Sequence, residues 1–340
     1  MIAIVGAGSI GRLFAYRLGT DKCFFLSTRS SHKNDSSSVS LTNRPELRQR
    51  TDTDTDTDTN KVASKKFSAN TLENTSFNVV DDSSTLRLSV PTFYTARPEL
   101  SNYEKPRAVL LCTKSYDAVK AAIDLDLTLP SDVPFILMQN GMGSQQSIVR
   151  RLVDRPVFAA ITTSGANINS SDELILAGDG TTQFGALNDS ALSNSKALFS
   201  HLQGASSNAF VFNEKIDRAL FKKLIINCGI NAFTAIEDCT NGAIVDTKSF
   251  SQLWPTLLKE LSAIAKKAGL PNNTSTIEKE ILSVASATSN NISSMLQDIR
   301  AGKQTEIDDI NGFAAKFLNE HGVDAIANKI LTEKVHALRR

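Results

Sequence analysis

The chain has 340 residues, 41% of them hydrophobic and 21% charged, with a net charge of +1. At about 150 residues per domain this length predicts roughly two domains, and 37 basic against 36 acidic residues leave no surplus charge for a nucleic-acid backbone. Four cysteines (Cys23, Cys112, Cys228, Cys239), with no CxxC pair and each in or beside an apolar run, read as reduced thiols and not as a disulfide framework or a zinc site.

The N-terminus predicts strand, tight turn and helix. Ile2–Val5 is a short apolar run, Gly6-Ala7-Gly8-Ser9-Ile10-Gly11 follows, and Leu13, Phe14 and Leu18 continue at helical spacing. Cys23–Ser27 is a second strand, which completes a βαβ unit of a parallel sheet. No basic segment precedes the first apolar run, as a signal peptide would require. No apolar run approaches the roughly 20 residues of a membrane span. The expectation is a soluble, cytoplasmic protein without a membrane partner.

From about residue 30 to 106 the periodicity is lost. The segment is rich in Ser, Thr, Asp and Asn and includes a strict Thr-Asp alternation from Thr51 to Thr59. It reads as a surface excursion, partly disordered, inserted at small cost because loop-closure entropy grows slowly with length. Cation binding by Asp52, Asp54, Asp56 and Asp58 is the weaker reading, since no turn-forming glycine interrupts them; no metal is expected.

Regular structure resumes with strands at 108–113, 135–138 and 157–163, separated by helices around Tyr116–Ile123 and Gln145–Leu152. Glu173–Ala177 and Thr181–Phe184, split by Gly178-Asp179-Gly180, predict a hairpin. Residues 1–212 therefore read as one α/β domain. Beyond Asn213 six helices are predicted, at 217–236, 250–268, 276–288, 293–300, 306–320 and 325–338, with Thr305 and Asp308 as an acidic capping box and Gly322 as a stop. The fold class is α/β: an N-terminal Rossmann-type dinucleotide-binding domain followed by an all-α domain, 213–340.

Four features carry chemistry. In Gly6-x-Gly8-x-x-Gly11 the first glycine allows the turn, the second lets a pyrophosphate approach the backbone, and the third lets helix and strand pack closely. The bland alternative is a tight turn with no ligand. After the second strand the chain reads Ser27-Thr28-Arg29, where an NAD enzyme usually carries an acid. A guanidinium there suits a ribose 2′-phosphate and points to NADP(H), against a merely solvated arginine. Lys114 and Asn140 close successive strands, where ligands of such sheets bind. Lys223, Asn227 and Asn231, four residues apart, share one face of an otherwise apolar helix. Such groups need partners or a ligand unless they snorkel to solvent. Lys222 is the outward, solvated neighbour.

Together with Asn140-Gly141-Met142-Gly143, Lys222-Lys223-Leu224, Asn291-Ile292-Ser293-Ser294-Met295-Leu296-Gln297-Asp298 and Thr305-Glu306-Ile307-Asp308-x-Ile310-Asn311-Gly312, this set resembles the ketopantoate reductase (2-dehydropantoate 2-reductase) family in both domains and in order. The resemblance implies NADPH-dependent reduction of ketopantoate to (R)-pantoate, on the route to pantothenate and coenzyme A, by a monomer or homodimer. It implies Lys223 as the proton donor, and Asn227, Asn231, Asn241 and Ser294 as substrate contacts. It implies that Gly6, Ala7, Gly8, Ser9, Ile10, Gly11, Arg29, Lys114, Asn140, Ala166 and Glu306 bind the cofactor, with Asn140 and Lys223 also touching substrate. The chain departs from the family in the long stretch after Arg29, in Phe221 where Trp is common, and in Ala232 where Pro is common. A lysine near its reference pKa of about 10.4 is charged at neutral pH and can act as an acid. The rival readings are a related NADP-dependent 2-keto or 3-hydroxy acid reductase and a non-catalytic NADP-binding regulator. The regulator would not need Lys223, Asn227 and Ser294 together.

Overall fold

The computed structural model describes residues 1–27, 73–81, 84–94, 105–178, 180–205 and 210–338. The first part of the chain runs β1 (Ile2–Val5), α1 (Ser9–Leu18), β2 (Cys23–Ser27), β3 (Glu73–Val80), β4 (Thr85–Tyr94), β5 (Ala108–Leu111), α2 (Ser115–Asp126), β6 (Phe135–Leu137), α3 (Ser144–Arg151) and β7 (Val157–Thr162). It continues with β8 (Gly165–Ile168), β9 (Leu174–Gly178), β10 (Thr182–Ala186), α4 (Asp189–Ala205) and β11 (Phe210–Phe212). The helices that follow are α5 (Ile216–Glu237), α6 (Lys248–Lys267), α7 (Thr274–Ala287), α8 (Ser294–Arg300), α9 (Asn311–Glu320) and α10 (Ile326–Ala337).

The strands form one sheet in the order β11-β10-β7-β6-β5-β1-β2-β4-β3-β9-β8. From β4 to β7 every neighbouring pair is parallel, which is the strand order of a dinucleotide-binding sheet. β1 and β5 are buried on both faces, as their unbroken apolar runs require.

Two expectations fail in the sheet. The stretch from 30 to 106 is not wholly a surface excursion. β4 extends the parallel sheet beyond β2, and β3 pairs with it antiparallel from Glu73↔Thr92 to Val80↔Thr85. Phe77, Val79 and Val90 are buried against the α1 side, so alternation is present but is diluted by threonine and serine. The Thr-Asp alternation and Arg29 lie outside the described residues. The expected hairpin of 173–177 with 181–184 does not form either. β9 pairs with β8 and β10 with β7. The four strands make one long antiparallel hairpin whose turn is Asn169–Asp172, and Gly178 and Gly180 lie at the bend between its halves. The Asn169 side chain closes that turn by accepting from the N–H groups of Ser171 and Glu173.

Helix α5 is the centre of the second layer. Its 22 residues include an 18-residue stretch of mean hydropathy 1.3, long and apolar enough to cross a membrane, yet it is mostly buried among α6, α7, α8 and α10. Correspondingly, Leu224, Cys228, Ala232 and Phe233 are core residues. The expected helix 306–320 is broken: a 3-10 turn spans Ile307–Asp309, Ile310 departs from helical geometry, and α9 starts at Asn311. The break turns the Asp309 carbonyl outward to accept from the N–H of Met142 at 2.8 Å. Glu306 immediately precedes the turn, and the Asp308 carboxylate lies 2.8 Å from His336 Nε2.

Arg155 is 1% exposed and donates to the carbonyls of Leu129, Pro130 and Val133 and to Asp126. It thereby fixes the chain between α2 and β6 while its guanidinium covers Phe135. Replacing Arg155 by Met leaves these buried carbonyls without donors and costs about 3–5 kcal/mol. The expected result is a lower Tm with unchanged turnover per folded molecule; an unchanged melt contradicts it.

Candidate active site

A cleft of about 1110 Å³ lies between the carboxyl ends of the parallel strands and the helical layer. On the sheet side it begins at the glycine turn. Gly6 has φ +101°, and a Cβ there would meet the backbone of Cys112 at 2.9 Å, so the turn demands glycine. A Cβ on Gly11 would lie 1.9 Å from the Gly6 carbonyl, which makes Gly11 the residue of close helix–strand packing. A Cβ on Gly8 would meet nothing within 4 Å. Gly8 caps α1 without a side-chain hydrogen bond, and among the described residues no side chain accepts from the first N–H groups of this helix. A tight turn, an open space in front of it and free helix N–H groups fit the pyrophosphate of a dinucleotide.

Of the expected site residues, Gly6, Ala7, Gly8, Ser9, Ile10, Lys114, Asn140, Ala166 and Glu306 line the cleft, and so do Lys223, Asn227, Asn231, Asn241 and Ser294. Gly11 stands behind the wall in its packing role, and Arg29 lies outside the described residues.

The helical side contributes charge to the sheet side. Lys114 Nζ lies 2.6 Å from Asp298 Oδ2 and 3.5 Å from Glu306 Oε2. Glu306 also accepts from the backbone N–H of Ser115, in the first turn of α2, and from Asn140 Nδ2 at 3.5 Å. The α2 N-terminus therefore supports the Glu306 charge. Asp309 accepts a 2.5 Å bond from Ser115 Oγ, and burial raises its pKa. Asp298, Ser115 and Asp309 had no expected role. Asp298 lay inside a quoted motif, whereas Ser115 and Asp309 gain meaning only when the two layers meet. Thr75 and Thr92, whose hydroxyls are 2.7 Å apart, also line the cleft and were hidden in the supposed excursion.

The two lysines of the cleft are shifted in opposite directions. For Lys114 burial alone would lower the pKa, but Glu306 and Asp298 more than reverse this and raise it. For Lys223 burial dominates over the more remote Glu306, and the pKa falls below the ordinary lysine range. This corrects the expectation of an unperturbed lysine. Among the described residues the Lys223 ammonium donates only to the carbonyl of Thr162, at 3.4 Å. Lys222 turns away and pairs with Glu280.

The substrate-side amides are held with part of their capacity unused. Asn241 Nδ2 donates to Thr288 Oγ1 at 2.9 Å, while its buried Oδ1 has no partner among the described residues. Ser293 is consumed by structure, capping α8 and bonding to Thr234 Oγ1 at 2.6 Å. Ser294, the next residue, is left facing the cleft.

Residues 2–189 match the family model described as ketopantoate reductase PanE/ApbA, and residues 215–339 match its C-terminal counterpart. A 2-dehydropantoate 2-reductase from Vibrio cholerae is 30% identical over 232 residues, which cover 68% of this chain and 77% of that protein. One from Shigella flexneri is 31% identical over 227 residues, covering 67% of this chain and 72% of the relative. Among solved structures, a PanE/ApbA family ketopantoate reductase from Ralstonia eutropha superposes with TM-score 0.73 at 20% identity, covering 100% of this chain and 98% of that one. D-mandelate dehydrogenase bound to NADH and anilino(oxo)acetate superposes with TM-score 0.74 at 19% identity, covering 99% of this chain and 98% of that one. At these identities the structural likenesses speak to fold.

The glycines separate folding from binding. Gly8→Ala is expected to leave the Tm unchanged and to weaken NADPH binding by about tenfold or more, because the methyl group enters space otherwise open to phosphate. Gly11→Ala is expected to destabilise the domain itself. Equal NADPH affinity in wild type and Gly8→Ala, measured by fluorescence titration, would contradict this assignment of the space.

Proposed function

The chain belongs to the ketopantoate reductase (PanE/ApbA) family and is an NADP-dependent oxidoreductase acting on a CH–OH group, and from this premise we propose that it reduces 2-dehydropantoate to (R)-pantoate. The observation that carries the reading is the meeting of two motifs in one cleft: the Gly6–Gly11 turn on the sheet side and the Lys223–Asn227–Asn231 face on the helical side. In this reading residues 1–212 bind the dinucleotide, and residues 213–340 supply the groups that hold and protonate the substrate. When bound, NADPH supplies the hydride that reduces the C2 carbonyl.

The rest of the chemistry belongs to the chain. Gly6, Ala7, Gly8, Ser9 and Ile10 would hold the pyrophosphate with backbone N–H groups. Lys114, Asn140, Ala166 and Glu306, which line the same cleft, would hold the rest of the cofactor. Lys223 delivers a proton to the oxygen of the former carbonyl as negative charge develops there. A lysine pushed down in pKa by burial gives up that proton more readily than a solvated one. Asn140, Asn227, Asn231 and Ser294 fix the substrate so that its carbonyl cannot rotate away. Asn241 Oδ1, an acceptor without a donor, suits a hydroxyl better than a carboxylate. Ketopantoate offers both groups, which distinguishes it from pyruvate and from aryl keto acids.

The test is NADPH oxidation with ketopantoate, followed by loss of the reduced-nicotinamide absorbance. Pyruvate and phenylglyoxylate serve as competing keto acids, and NADH as the competing cofactor. Turnover is expected with ketopantoate and NADPH, and its loss in Lys223→Ala without loss of NADPH binding. Faster turnover with another keto acid would transfer the assignment to that substrate. The pH profile is a second check. The acid must carry its proton, so kcat should be flat at low pH and fall as pH rises through a pKa below that of a free lysine. A profile still flat at the pKa of a solvated lysine would remove Lys223 as the donor.

A further inference from the structure

Arg12 takes no part in the chemistry above, yet it is 9% exposed in the second turn of α1. Its Nε donates to the carbonyl of Ala7 at 3.0 Å, inside the glycine turn. One terminal nitrogen donates to the carbonyl of Asp172 at 2.8 Å, and the other lies 2.8 Å from Asp172 Oδ1. The guanidinium carbon is 5.1 Å from the centre of the Phe77 ring on β3. One rigid planar group therefore joins the glycine turn, the tip of the β8–β9 hairpin and strand β3 inside the sheet. Asp172 has φ +61°, a conformation that a non-glycine residue holds only when its surroundings enforce it.

We infer that Arg12 is a positioning residue of the dinucleotide site: it sets the Ala7–Gly8 peptide and ties it to the β8–β9 wall of the same cleft. This rests on the proposed NADPH-dependent reading. The described peptides include no cis bond, so the Gly8 N–H is antiparallel to the Ala7 carbonyl. A carbonyl held on Arg12 thus directs the Gly8 N–H away from Arg12, and rotation of that peptide would withdraw the donor. The tip held by Asp172 leads into β8 and β9, whose Ala166, Asn167, Ile168 and Ala177 line the cleft. A second contact steadies the same tip, since Glu173 accepts from Asn78 Nδ2 on β3 at 3.1 Å. The turn that contacts phosphate and the strands that flank it are therefore set against each other by one side chain. A lysine, with a single point charge, cannot reproduce both halves of this contact.

The experiment compares wild type, Arg12→Met, Arg12→Lys and Asp172→Asn. It measures the Kd for NADPH by fluorescence titration, the KM for ketopantoate at saturating NADPH, and the Tm. Arg12→Met is expected to weaken NADPH binding by about tenfold, with Arg12→Lys and Asp172→Asn nearer threefold, because each loses part of a charge-assisted contact. The KM for ketopantoate should stay within about twofold of wild type. Unchanged NADPH affinity in a folded Arg12→Met protein would overturn the inference. So would a parallel rise of both constants in step with a fall in Tm, which marks a purely structural arginine. Should Arg12→Met fail to fold, Asp172→Asn decides alone: unchanged NADPH affinity there overturns the link between turn and hairpin. A wild-type protein that binds no NADPH would overturn the underlying functional reading instead, and is read out separately.

Discussion

The hydrogen bond from the Met142 N–H to the Asp309 carbonyl, 2.8 Å long, joins the turn between β6 and α3 to the 3-10 turn that precedes α9 in the other layer. It is possible only because Gly141, at φ +76°, has no side chain: a Cβ there would lie 2.2 Å from the Asp309 oxygen. On one side of this contact stands Asn140, on the other Glu306, and the two side chains meet at 3.5 Å. Met142 itself, 2% exposed, extends from the α/β layer into the helical core. Its burial contributes about 1.5–3 kcal/mol to holding the layers together. The second bond of the junction, Ser115 Oγ to Asp309, anchors the start of α2 to the same turn. A helix running without interruption from 306 to 320 would direct the Asp309 carbonyl along its own axis and lose this seam.

The seam also decides the electrostatics. It brings Glu306 to the N-terminus of α2 and Asp298 to Lys114, so the cation of the sheet side is neutralised and made a weaker acid. On Lys223 desolvation outweighs the opposing charge of Glu306, and the pKa falls. Two lysines with the same intrinsic chemistry thus diverge within one cleft, one suited to holding charge and one to releasing a proton. The distinction depends on Asp298 and Glu306 both pairing with Lys114. Were one of them to lie instead against Lys223, the order of the two acidities would narrow or reverse.

The parts of this arrangement legible in the sequence are those with local signatures. The glycine turn has a strand before it and a helix after it, and Lys223, Asn227 and Asn231 declare a face by their spacing. The shift of Lys223 was not legible, because it comes from burial where the two layers meet, opposed by Glu306, and not from any residue nearby in sequence. The break at Ile310 was missed because Ile307, Ala314 and Leu318 keep helical spacing across it; only the pull of Met142 on the Asp309 carbonyl shows why the helix stops. β3 and β4 were missed for a different reason. Polar Asn74, Ser76, Asn78, Arg87 and Ser89 separate the apolar positions, Pro91 interrupts β4, and next to a longer polar run the few buried residues Phe77, Val79 and Val90 are too sparse to stand out. The hairpin was misplaced because Gly178-Asp179-Gly180 carries a stronger turn signal than Asn169-Ser170-Ser171-Asp172, which closes through the Asn169 side chain.

The position of the long Ser/Thr/Asp-rich stretch follows from where the sheet can absorb it. It leaves β2 and returns at β3, and both strands are secured independently, β2 by β1 and β4, β3 by β4 and β9. Extra length between ends already fixed costs only about 0.6 kcal/mol for each doubling. The cleft wall from β3 and β4 is set by this pairing and not by the length of the connection. The same insertion between Gln139 and Gly143 would be far more damaging. There the spacing between the end of β6 and the start of α3 is what holds Gly141 against Asp309, and loosening it would separate Asn140 from Glu306. A chain with this fold can therefore lengthen freely on the β2–β3 side of its sheet, while the few residues after β6 keep both their number and their glycines.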